Sequence, residues 1–126
     1  MLSGDVSWQL KDGRYYIARI DVYGDYGEEP QVQLIIQTPR ERRSPLDGSL
    51  VLTMAGEPVC RLEPGAGGPD HMGVPTPHLH YLDEKGSSCC EPFEPRNHNI
   101  WSLEDAARWF VKYCGIQGWL NWCDPP

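Results

Sequence analysis

Apolar and polar positions alternate with a period of two through much of the first two-thirds of the chain. Val6, Trp8 and Leu10 alternate with Ser7 and Gln9, the pattern of a strand with one buried face. Asp12-Gly13 follows, and Asp-Gly between two alternating runs predicts a hairpin. The return strand, 15–23, sets Ala18, Ile20 and Val22 on one face and Arg19 and Asp21 on the other. Beyond a polar connection over 24–30, Val32, Leu34 and Ile36 alternate with Gln31, Gln33 and Gln37 in a third strand. Leu50, Leu52 and Met54 predict a fourth, and the turn Ala55-Gly56-Glu57-Pro58 leads into a short fifth over 59–62. A short sixth is expected over 78–82, with 63–77 and 85–99 irregular.

The period changes near the C-terminus. Leu103, Ala106, Ala107, Phe110 and Cys114 recur at helical spacing and predict a helix over 103–114. Ser102 is an expected N-cap, Asp105 completes a pair resembling a capping box, and Gly115 is the expected stop. The tail over 116–126 carries Trp119, Leu120 and Trp122 and is expected to pack onto the rest. The connections between strands are too short for crossover helices, which implies a meander. The fold class expected is therefore α+β: a meandering antiparallel sheet of about six strands with one C-terminal helix packed on it. A closed or half-closed barrel is the competing arrangement. Residues 1–126 read as a single domain.

Composition narrows the function classes. The formal charge is −7, whereas a protein that grips a nucleic acid backbone usually presents a basic surface. The balance argues against nucleic acid and towards a basic protein partner. The one basic run, Arg40, Arg42 and Arg43, reads as a solvated loop, with a small anion-binding patch as the alternative. Five cysteines, 60, 89, 90, 114 and 123, form an odd and irregular set, unlike the paired framework of a small secreted domain. No stretch approaches the ~20 apolar residues of a membrane span, and the opening Met-Leu-Ser-Gly-Asp has no signal-peptide character. A cytoplasmic location without membrane attachment is the expectation.

The chemistry concentrates between Asp70 and Glu84, where His71, His78 and His80, three of the four histidines, fall within ten residues. On an extended strand His78 and His80 leave the same face about 7 Å apart, while Leu79 and Tyr81 face the other way. Pro75 and Pro77 stiffen the entry, and His71 lies one loop away. Two such imidazoles with a carboxylate such as Glu84 suit a divalent metal, zinc for example. His78 and His80, with His71, also suit general acid–base work on a phosphoester, and they suit contacts to a ligand or partner. Plain outward-facing strand residues are the simpler alternative. No cofactor is otherwise implied. Cys89 and Cys90 point apart in extended backbone, and Cys60 and Cys114 read as small core residues. Tyr15, Tyr16, Tyr23 and Tyr26 read as sheet packing. Trp101, Trp109, Trp119 and Trp122 are expected to seal the helix edge, and any left exposed become candidate anchors for a partner.

The run Pro77-His78-Leu79-His80-Tyr81, followed by an acid-capped helix ending near a cysteine, resembles a set of small uncharacterised bacterial and phage proteins. The likeness covers residues 75–115. It implies a role in toxin–antitoxin or phage–host conflict and transfers no catalytic residue. Gly73-x4-His78-x-His80-x3-Glu84 is also similar to the first cupin motif, in which two His and a Glu hold a metal. The cupin spacing departs by one residue before His78, Gly86 comes too soon after Glu84, and His98 is the sole candidate for the third His. The leading expectation is a non-enzymatic interaction domain of phage or mobile-element origin, acting through an acidic and aromatic surface. The alternative is a His-based hydrolase or ribonuclease centred on His78 and His80, with or without a divalent metal.

Overall fold

Leu34 and Ile36, fully buried between half-buried Gln33, Ile35 and Gln37, show how the alternation becomes a sheet with one apolar face. The computed structural model describes residues 2–23, 31–66, 77–83 and 85–126. Among these, the strands are β1 (Leu2–Asp5), β2 (Gln9–Lys11), β3 (Tyr15–Val22), β4 (Val32–Pro39), β5 (Ser49–Met54), β6 (Glu57–Glu63), β7 (His78–Leu82), β8 (Ser88–Pro92) and β9 (Gly118–Asn121). They form one sheet in the order β8-β7-β6-β5-β4-β3-β1-β9, with β2 paired to β3. From β3 to β8 each strand pairs antiparallel with the next, the expected meander. Two turns of the sheet run through positive φ: Asp12 and Gly13, between β2 and β3, at +55° and +66°, and Ala55 and Gly56, between β5 and β6, at +51° and +82°.

The one α-helix among the described residues, α1 (Leu103–Tyr113), covers the apolar face. Its buried residues are Leu103, Ala106, Ala107, Phe110 and Val111, and they join Ala18, Ile20, Leu34, Ile36, Leu50, Leu62 and Leu79 in one core. Both helix ends are built locally. Ser102 Oγ accepts from the Asp105 N–H at 3.1 Å, while the Asp105 carboxylate reaches back to the Trp101 N–H at 3.0 Å. That reach is one residue further than a capping box requires. At the other end Gly115 takes φ +72°, and the N–H groups of Gly115 and Ile116 donate to Lys112 and Val111. This pair of bonds is a Schellman stop.

The α+β layout with a mainly antiparallel sheet is as expected, but the described residues form nine strands rather than about six. Three strands carry too little alternation to be read in sequence. Leu2–Asp5 has one apolar side chain, Ser88–Pro92 has only its two cysteines, and Gly118–Asn121 opens on glycine. β1 and β9 are held by pairing to each other across the chain, and β8 by pairing back onto β7. The first strand also begins later than expected, at Gln9. β1 and β9 are parallel, in register from Leu2↔Gly118 to Asp5↔Asn121, so the sheet brings the two ends of the chain side by side. A 3₁₀ turn, Pro95–His98, occupies part of the region expected to be irregular.

Candidate functional site

β7 is extended, and it carries the two histidines as the spacing implies. Leu79 joins the core beneath α1 with Tyr81 packed against it, so strand alternation sends His78 and His80 to the opposite face. The expectation that both rings face outward fails for His78, which is 2% exposed, whereas His80 is half-buried. Register supplies their neighbours: His78 lies across from Glu63 and Pro92, His80 from Arg61 and Cys90. The His78 Nε2 sits 3.7 Å from a Glu63 carboxylate oxygen, and Arg61 stands 3.8 Å from the other. Glu63 was not among the residues singled out in sequence, because only strand pairing brings it to His78. His71 and Glu84, the other expected members of this site, lie outside the described residues. Among the described residues no group of three or more His, Cys, Asp or Glu is placed to hold a metal ion.

The thiols divide by position. Cys90, beside His80, has its pKa raised by burial and then by Glu63 and Glu91. Cys60 on β6 and Cys114 at the end of α1 share a hydrogen bond. That bond lowers Cys60 and, with burial, raises Cys114. Cys60 is buried in the core as expected, and Cys114 is half-buried against it.

A second site lies on the helix side, between β7, the end of β8, the 3₁₀ turn and α1. Phe93, one residue past β8, stacks on His98 at 4.9 Å with the rings 8° from parallel. Trp109 meets both rings edge-on or tilted at 4.9 Å, and Tyr113, one helical turn later, stacks on Trp109 at 5.0 Å. The 3₁₀ turn places His98. Glu94 accepts from the Arg96 N–H at its start, and Asn99 ends it at φ +56°. The rings wall a groove of about 550 Å³ whose remaining lining includes Leu79, Asn97, Glu91 and Glu94. Among the described residues no Lys or Arg lines it. Glu91 sits within 3.4 Å of the Tyr81 hydroxyl, and its charge is the main cause that raises the Tyr81 pKa. Tyr113 is raised as well, first by burial and then by charges that include Glu91.

Of the tryptophans expected to seal the helix edge, Trp109 and Trp122 pack against the core. Trp122 also meets Trp8 edge-on at 5.8 Å. Trp101 and Trp119 stay 60% and 75% exposed. The sequence carries a signal for the groove, an aromatic residue bracketed by acids and prolines in Glu91-Pro92-Phe93-Glu94-Pro95. Its meaning depends on Trp109, which only the fold delivers. Comparison with protein-family models, with curated proteins and with solved structures finds no match to this chain.

Proposed function

We propose that this chain is a binding module whose aromatic groove takes a lysine- or arginine-bearing segment of a basic protein partner. The observation that carries the reading is the composition of the groove: Phe93, His98, Trp109 and Tyr113 as walls, Glu91 and Glu94 as its carboxylates, and no Lys or Arg among the described residues that line it. An ammonium or guanidinium over an aromatic face gains about 0.5–2 kcal/mol, more as it is desolvated. Its alkyl stem packs on the rings while the carboxylates answer its charge. A volume of about 550 Å³ accommodates one or two such side chains. The formal charge of −7 adds long-range attraction for a basic partner and speeds encounter.

The test is calorimetric titration with a short lysine-rich peptide and its norleucine twin, which keeps the stem and lacks the charge. The lysine peptide is expected to bind, to weaken as salt rises, and to lose about tenfold in affinity to the Glu91→Gln/Glu94→Gln variant. Equal binding of the two peptides, or an unaltered affinity in the variant, contradicts the reading.

A further inference from the structure

The loop that follows β4 holds basic residues, and the fold gives that loop a definite shape. The buried Thr38 hydroxyl donates to the Asp47 carbonyl at 2.8 Å. The Asp47 carboxylate in turn accepts from the N–H groups of Arg43 and Ser44 at 2.7 and 3.2 Å. The Arg40 N–H donates to the Arg14 carbonyl at 2.8 Å, tying the loop to the β2–β3 turn. Gly65 closes the far side so tightly that a Cβ there would press on the Leu46 carbonyl. These contacts shape a cavity of about 690 Å³ onto which Arg14, Arg40 and Arg43 open, with Gln37 and Ser49 on its floor.

Charge within this cavity is unevenly satisfied. Three acids also line it, Glu41, Asp47 and Glu63. Asp47 is taken up by the two loop N–H groups, Glu63 is held between Arg61 and His78, and the exposed Glu41 makes no ion pair among the described residues. The three arginines make no ion pair among the described residues either. The single side-chain hydrogen bond of the three there is a long one, Arg40 to the Gly13 carbonyl at 3.5 Å. Guanidinium forks match the oxygens of an oxyanion and bind them in pairs. Three forks around one cavity exceed what one carboxylate engages and suit a tetrahedral phosphate.

We infer that the Arg14–Arg40–Arg43 cavity is a binding site for a phosphate group carried by a small molecule. It is separate from the aromatic groove and independent of the function proposed for it. The test titrates the whole chain with inorganic phosphate, pyrophosphate and succinate at constant ionic strength, reading heat and melting temperature. Phosphate or pyrophosphate is expected to bind saturably and more tightly than succinate. Arg40→Gln and Arg43→Gln are each expected to weaken it about tenfold. Arg42→Gln, which changes the same charge in the same loop but does not line the cavity, is expected to leave affinity unchanged. Melting of the unliganded variants checks that each still folds. Absence of saturable binding, succinate binding as tightly as phosphate, or an equal loss in Arg42→Gln would overturn the inference.

Discussion

Ala55 shows what a single side chain costs when a turn dictates its backbone. It stands at φ +51° in the hairpin between β5 and β6, where its N–H donates to the Gln31 carbonyl at 2.7 Å. A Cβ in the left-handed region costs roughly 1–2 kcal/mol, and the turn is of the kind that favours Asn-Gly or Gly-Gly. Ala55→Gly keeps the N–H and removes the Cβ, partly offset by the freedom glycine adds to the unfolded chain. A net gain of about 0.5–1 kcal/mol is expected, read as a raised denaturant midpoint with unchanged slope. Tyr81 and Tyr113 make a second prediction, about pH. Both hydroxyls hold their protons more tightly than the ordinary value of 10.0, Tyr81 chiefly because of Glu91 and Tyr113 chiefly because of burial. The stability they contribute is fully present below pH 10.0 and is lost as pH rises above it, when the unfolded chain ionises first. Glu91→Gln should therefore bring tyrosinate absorbance to lower pH, most for Tyr81. An unchanged titration would show that Glu91 does not govern these hydroxyls.

Among the elements, α1 and β9 stand at opposite ends of what a sequence discloses. The helix was readable to within a residue because Ser102, its apolar spacing and Gly115 are all local signals acting over a turn or two. β9 was not readable, because Gly118-Trp119-Leu120-Asn121 becomes a strand only through pairing with β1 at the other end of the chain. Gly118 holds the key to that pairing. It sits at φ +127°, and a Cβ there would fall on the Leu2 backbone. Gly118→Ala should cost about 3 kcal/mol by combining a forbidden conformation with a backbone clash. Hydrogen exchange checks it directly: the Leu2 and Val6 amides, which donate to Gln117 and Asn121, should lose protection while the helix amides keep theirs. The histidine strand falls between these extremes. Alternation along 78–82 fixed the face of each ring, but it carries nothing about what lies over that face, and so the burial of His78 and its place beside Glu63 were not legible. Removing that buried ring by His78→Ala should destabilise the fold by roughly 1–3 kcal/mol, read as a lowered melting temperature.

At the scale of the whole molecule, the sheet has two differently furnished faces. One, beneath α1, is apolar and opens at the edge of β7 and β8 into the groove of Phe93, His98, Trp109 and Tyr113. The other carries Arg61, Glu63, His78 and His80, with Glu63 reaching the wall of the arginine cavity. The acidic and aromatic character was legible in composition, but the meeting of Phe93, Trp109 and Tyr113 with Glu91 and Glu94 around one groove was not. Trp101 and Trp119 are the more exposed tryptophans, yet Trp109 is the one that lines the groove with Glu91, Glu94 and the other rings. Among the described residues no helix is long and apolar enough to cross a membrane. A cation that enters the groove as proposed passes beside Trp109, and the indole N–H of that residue reports its arrival. In a ¹H–¹⁵N spectrum of the full chain titrated with the lysine-rich peptide, the Trp109 indole signal should move to saturation while those of Trp101 and Trp119 stay in place. Peptide binding that moves Trp101 or Trp119 and leaves Trp109 unmoved would contradict the account.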